Sequence, residues 1–406
     1  RVMSPPGWPG FPTPLIDKIW STVYTLYQIF FKVINRILKD SFFVDKKIQI
    51  AAIIGAVIFS ILVLTSPNDP IPLPKPTSVS QSDSVMILAE NLDKPRAIAI
   101  FENKIFVTEK DGLIRVIEND ILLDSPLATF RTADVFDGGL IGISLHPDFV
   151  NNHFLYVFLT YQENGELWNK VLRITESKNK LKDAEIILDK IPGSSFTNGG
   201  FLKFGPDKKL YVGTGTVSDA SHLPQDLDSL SGKILRLNDD GSIPDDNPFP
   251  NSYVYSLGFR NPQGMTWDNN GNLYVAEFGP EKNDEINIVI SGKNYGWPET
   301  QCSGNSDFED AVLCYDPSIE PGGILFYTGE KFDFEFPFIL SSMRASNLYQ
   351  LDFEEGLSSQ KSILSGIGRV RDVVQGFDGS LYVITSNTDG KGFPDRTDDK
   401  LLRIMK

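Results

Sequence analysis

The chain has 406 residues, 41% of them apolar and 22% charged, and a formal net charge of −15. That length fits one large or two ordinary domains with a sizeable core, and the apolar content excludes a disordered chain. The acidic balance excludes nucleic acid as a partner, and two cysteines with three histidines exclude a disulfide scaffold or a Cys- or His-built metal centre. The charge is unevenly spread: residues 1–83 carry +3 and the remainder −18.

In chain order, residues 1–47 come first and include the apolar, aromatic run Ile19–Phe31, followed by Lys32, Arg36 and Lys39. This run is shorter than a usual bilayer span and suits a helix at the membrane interface or against a partner's membrane helices, with a second span as the alternative. Ile48–Thr65 is 18 residues without a charge, close to the length a transmembrane helix needs. Lys46 and Lys47 just before it place the N-terminal side in the cytoplasm and the C-terminal side outside. Residues 66–83 hold Pro67, Pro70, Pro72, Pro74 and Pro76 and then a Ser-rich stretch, the composition of an extended spacer. The expectation is a single-pass plasma-membrane protein whose outer domain begins near Ser84. The additional segment Ile19–Phe31 points to integral membrane subunits as partners.

Residues 84–406 repeat a pattern. A short strand of the Leu-Tyr-Val type recurs at Ile105–Val107, Leu155–Val157, Leu210–Val212, Leu273–Val275, Phe338–Leu340 and Leu381–Val383. A second strand comes after each, starting at Leu113, Val171, Ile234, Ile286, Leu348 and Leu401. Turn signals such as Pro206-Asp207, Asn270-Gly271 and Asp378-Gly379 separate them. Six such units predict an all-β fold, a six-bladed β-propeller preceded by N-terminal membrane helices. The strand at Val85–Leu88 is expected to close the ring by pairing with Leu401–Ile404. Ligands of such a fold belong at the mouth of the central channel, on non-repeating loops.

Those loops carry long motifs: YSLGFRNPQG from Tyr255, AEFGPEKNDEIN from Ala276, KNYGWP from Lys293, GLIGISLHPDF from Gly139 and GRVRDV from Gly368. Together they resemble the soluble glucose dehydrogenase and aldose sugar dehydrogenase family, from about Leu88 to the C-terminus. That resemblance implies a quinoprotein using pyrroloquinoline quinone (PQQ) and Ca²⁺. It assigns Arg260, Asn261, Arg344, Arg369, Arg371 and Asp137 to the cofactor, with Tyr315 stacking nearby. Guanidinium groups suit the three PQQ carboxylates, and the spacing of Arg369 and Arg371 puts both on one face of a strand. The carbonyls of Gly279 and Pro280 match those that hold the cofactor's calcium. Glu285 and Tyr295 match a second calcium site. Cys302 and Cys314 bracket one loop, and an oxidising compartment would bridge them.

The resemblance breaks at the catalytic base. In SSFTNGGFLKFG, Thr197 stands at the position of the family's histidine, and Thr216 stands at that of its aspartate partner. A hydroxyl is no base near neutral pH, and a lost general base typically costs about 10²–10⁴ in rate. Phe259 replaces a further histidine. His222 and Asp137 are the substitutes on offer for the base, while His146 reads as a structural turn residue. Two functions are compatible with this pattern. One is a membrane-anchored PQQ- and calcium-dependent dehydrogenase of sugars or alcohols. The other is a catalytically inactive propeller that serves as a binding or assembly subunit. Lactone hydrolysis on a calcium-bearing propeller is a third and weaker alternative.

Overall fold

The computed structural model describes residues 84–219, 221–303, 306–353 and 359–406. The expected interfacial segment, membrane span and spacer at residues 1–83 lie outside this range. Among the described residues, no helix is long and apolar enough to cross a membrane.

Six antiparallel sheets succeed one another along the chain. The first is built from Pro95–Phe101, Lys104–Glu109, Leu113–Glu118 and Ile121–Leu122, with Ala128–Thr129 beside it. The second uses Leu140–Leu145, Phe154–Glu163, Glu166–Ser177 and Lys180–Pro192, and the third Gly199–Phe204, Leu210–Thr214, Lys233–Leu237 and Val254–Leu257. The fourth uses Pro262–Trp267, Leu273–Glu277, Asp284–Val289 and Leu313–Tyr315, and the fifth Pro321–Phe326, Phe338–Ser342, Asn347–Asp352 and Ser359–Ser365. In the sixth, Val370–Gln375, Leu381–Thr385 and Leu401–Met405 are joined by Ser84–Ala89 from the start of the described chain. Val85 pairs with Ile404 and Met86 with Arg403, so the strand expected to close the ring does so.

All six recurring triplets are the second strands of their blades. Leu210–Thr214, Leu273–Glu277, Phe338–Ser342 and Leu381–Thr385 are buried at every position. Each blade packs against a neighbour on both faces, so these strands read as continuous apolar runs. Six buried apolar clusters fill the interfaces between successive blades. Tyr156 and Phe158 sit between the second and third blades, and Leu381 and Val383 between the fifth and sixth.

The first strand of every blade lies innermost, next to the first strands of its two neighbours. Polar staples join this inner ring. Asp372 Oδ2 accepts from the Ile98 amide at 3.0 Å, tying the sixth blade to the first. Asn261 Oδ1 accepts from the Gly199 amide at 2.9 Å between the third and fourth blades. At Gly142, an added Cβ would lie 2.2 Å from the Gly200 carbonyl oxygen, so only glycine allows that approach.

Candidate active site

The inner strands all start at the same end of the ring, and their first residues converge there. A cavity of about 1040 Å³ opens at that end, lined from all six blades. Arg96, Asp137, Thr197, Asn261, Glu320 and Arg371 come from the inner strands or the turns entering them. Asp219, Pro280, Arg344 and Lys391 come from loops leaving the second strands. The volume is of the order that holds a small organic molecule.

Cations dominate the wall. Arg96, Arg260, Arg344, Arg369, Arg371 and Lys391 face Asp137, Asp219, Glu320 and Asp389. Most are paired. Arg96 Nη1 donates to Asp137 at 3.1 Å and Arg260 Nε to Asp219 at 2.9 Å. Arg369 donates to Glu320 at 2.8 Å and to Asp389 at 3.0 Å, and Arg344 to Glu320 at 3.0 Å. Burial works to raise the Glu320 carboxyl, but Arg369, Lys391 and Arg344 outweigh it and hold the group below its usual range. Arg371 differs: among the described residues no carboxylate lies within ion-pair distance of it, and Nη1 faces Met343 Sδ at 3.3 Å. Burial, reinforced by Arg96, pushes its pKa down to about 10.

Asn261 and Arg260 are fixed from below. Glu277 Oε1 accepts from the amides of both, at 3.2 Å for Asn261. Arg260 Nη1 also donates to the carbonyls of Phe278 at 2.9 Å and Gly279 at 2.8 Å. Beneath lies an oxygen-rich cluster. Glu277 and Glu285 are cross-strand partners, and Asn287 Nδ2 donates to Glu285 Oε2 at 3.1 Å. Glu277 Oε2 and Asn287 Oδ1 are buried with no donor among the described residues. Burial and the neighbouring Glu285 push Glu277 up to about 8.

Thr197 and Thr216 come together on one wall. Thr197 Oγ1 donates to the Thr216 carbonyl at 2.8 Å, and Thr216 Oγ1 to the Ser218 carbonyl at 2.9 Å. Thr197 is held at φ +58°, a left-handed conformation unusual for a β-branched residue and more usual for Asn, Asp or His.

Several expected residues stand elsewhere. Tyr315 does not line the cavity: it packs in the apolar layer between the fourth and fifth blades and donates to Gln360 at 2.9 Å. Its strand is the outermost of the fourth blade, far from the inner ring. His222 is exposed beyond the lining loop and caps a short 3-10 turn. Tyr295 stacks on Phe259 with ring centroids 4.8 Å apart. Its hydroxyl turns toward the Ile288 carbonyl. Glu285 lies below the cavity and accepts from the Cys302 amide at 2.6 Å. Cys302 and Cys314 are bonded, with Cα atoms 5.6 Å apart. His146 is held in its turn by the Asp148 amide, which donates to Nδ1 at 2.9 Å, and by the rings of Tyr156 and Phe204.

Sequence reasoning missed Arg96, Asp219, Glu320, Asp389 and Lys391. One signal was present. Pro95, Pro262 and Pro321 each open an inner strand, and the polar residues flanking them, Arg96, Asn261, Gln263 and Glu320, all reach the cavity.

The sequence pattern of the Glucose / Sorbosone dehydrogenase family matches residues 92–403. The chain belongs to this family. It is 31% identical over 345 residues to the aldose sugar dehydrogenase YliI of Escherichia coli, covering 76% of this chain and 91% of that protein. It is 34% identical over 253 residues to quinoprotein glucose dehydrogenase B of Acinetobacter calcoaceticus, covering 54% of this chain and 53% of that one. The structure of the PQQ-bound aldose sugar dehydrogenase of Streptomyces coelicolor superimposes with a TM-score of 0.71 at 32% identity, covering 82% and 99% of the two chains.

The wall fits an anionic, planar cofactor. A buried guanidinium lacking a carboxylate is a costly group unless an anion meets it, and Phe278 offers a flat apolar surface. For a metal the fit is partial. Among the described residues no three His, Cys, Asp or Glu side chains converge. The Gly279 carbonyl already accepts from Arg260, and the donorless oxygens lie at Glu277 and Asn287.

Proposed function

We propose that this family member is a PQQ- and calcium-dependent dehydrogenase of sugars or related alcohols. The observation that carries the reading is Arg371, a buried cation at the cavity wall with no carboxylate in ion-pair range among the described residues. Arg371 and Arg369 would hold the cofactor's carboxylates, and Arg344 would stand at its quinone, with Arg260 and Asn261 also at the cofactor. Oxygens near Gly279, Pro280 and Glu277 would take calcium. When bound, PQQ supplies a two-electron acceptor. The chain's own part is to neutralise and orient it, exclude water from its buried edge and present the substrate hydroxyl at the open mouth.

The test is titration of the purified full chain with PQQ, with and without Ca²⁺, combined with absorbance, calorimetry and dye reduction with aldoses. Saturable binding and aldose-dependent reduction are expected, and absence of PQQ binding would sink the proposal. The second reading, an inactive propeller in a membrane complex, draws on the Thr197–Thr216 pair, whose hydroxyls are spent on backbone carbonyls. PQQ binding without turnover on any alcohol would favour it.

The location is part of the same proposal. Ile48–Thr65 supports a plasma-membrane anchor with the propeller outside, and Ile19–Phe31 supports contacts with integral membrane subunits. Resistance of the full chain to alkaline extraction from membranes checks the anchor.

A further inference from the structure

We propose that Asp219 is the proton acceptor of this site, replacing the family's missing histidine. The inference rests on the dehydrogenase reading above.

Four carboxylates line the cavity, and their surroundings differ. Glu320 is buried and clamped between Arg369 and Arg344, with Lys391 close by, all of which favour its charged form. Asp389 is tied to Arg369 Nε at 3.0 Å and accepts from the Lys391 amide at 2.8 Å. Asp137 is bound by Arg96, and only 24% of its side chain is exposed. Asp219 is the open one, with 54% of its side chain exposed. Its Oδ1 accepts from Arg260 Nε at 2.9 Å, while among the described residues Oδ2 takes only a long contact of 3.4 Å from Nη2.

Its placement is equally specific. Thr197 donates to the Thr216 carbonyl, and the Thr216 amide donates to the Arg260 carbonyl at 2.8 Å. Three residues on, Asp219 returns to the Arg260 side chain. One connected wall therefore joins the two threonines at the base and partner positions, the cofactor-motif arginine and a solvent-accessible carboxylate. Arg260 orients that carboxylate chiefly through Oδ1 and leaves Oδ2 the freer oxygen at the cavity wall.

The step balances as an alcohol oxidation. The hydroxyl proton passes to Asp219 Oδ2. The carbinol hydrogen leaves with its bonding pair to the quinone oxidant, which gains two electrons, and the C–O bond becomes a carbonyl. The carboxyl then returns the proton to solvent through the mouth.

The experiment uses the full chain with Asp219→Asn, Asp219→Glu and Asp137→Asn. Asparagine keeps an oxygen for Arg260 Nε, so PQQ affinity by absorbance titration should stay within about threefold. kcat should fall by about 10²–10⁴ with KM nearly unchanged. Asp219→Glu should recover at least a tenth of the wild-type rate, and Asp137→Asn should lose far less than Asp219→Asn. Wild-type kcat in Asp219→Asn would overturn the assignment. A second readout needs no cofactor. An epoxypropyl glucoside should esterify Asp219 in the PQQ-free chain, glucose should slow the labelling, and peptide mass spectrometry should map it. If PQQ fails to bind, the dehydrogenase reading falls, and the label alone decides whether Asp219 is the cavity's reactive carboxylate. Labelling at Asp137 or Glu320 in place of Asp219, or no labelling, would overturn it.

Discussion

Replacing Arg371 with methionine separates the cost of burying a charge from the benefit of meeting an anion. The guanidinium is buried, faces Met343 Sδ at 3.3 Å and has no carboxylate in ion-pair range among the described residues. Burial first, then Arg96, pull its pKa down to about 10. At about 1.4 kcal/mol per pH unit, keeping it charged in the ligand-free protein costs about 3 kcal/mol. A cation with a depressed folded-state pKa withholds that stability at every pH below the folded value. It restores it only as pH rises through about 10. The full cost is therefore present at neutral pH. Methionine of similar length removes the charge and retains the packing, so the ligand-free chain should gain about 1–3 kcal/mol, a few degrees in Tm. PQQ affinity should fall by about 10²-fold or more, because a desolvated charge pair is lost. Thermal melts with and without PQQ, beside an absorbance titration, measure both. A ligand-free variant destabilised by more than about 1 kcal/mol, or one that binds PQQ as tightly as the parent, would refute the reasoning.

Two further outcomes are expected. In the Asp219→Asn background, Thr197→His with Thr216→Asp should restore aldose turnover by about 10²-fold or more, read by dye reduction. The left-handed backbone at position 197 (φ +58°) accepts histidine more readily than a β-branched residue. Glu277 has a folded-state pKa raised to about 8 by burial and by Glu285, so its contribution is fully present at low pH and is lost as pH rises through 8. Calcium-free melts from pH 5 to 9 should show that decline. Glu277→Gln should flatten it, and a parent profile flat over that range would count against the buried-carboxyl reading.

The fold was legible from particular residues. Triplets such as Leu210–Val212 and Leu381–Val383 announce themselves because a strand buried on both faces must be apolar throughout. Their recurrence sets the blade count, and Val85–Leu88 sits where a closing strand belongs. At the site, Arg260, Asn261, Arg344, Arg369, Arg371, Asp137, Pro280 and Thr197 all reach one cavity. Tyr315, by contrast, lies on an outermost strand. A residue's chemical type says nothing of whether its strand is inner or outer.

Residue type, period and motif spacing are local properties, and the sequence by itself determined them: an acidic propeller, a set of arginines and two threonines where a base and its partner would stand. Which charges are spent on one another was decided only by the tertiary structure. Arg96 meets Asp137 across 41 positions, Arg369 meets Glu320 across 49, and Asp372 reaches the Ile98 amide across 274. Ring closure brings these groups together, and pairing energy depends on distance and burial, which one-dimensional spacing does not contain. That is why Arg371, one arginine among several in the sequence, stands out only in the folded chain as the cavity cation that, among the described residues, has no carboxylate in ion-pair range.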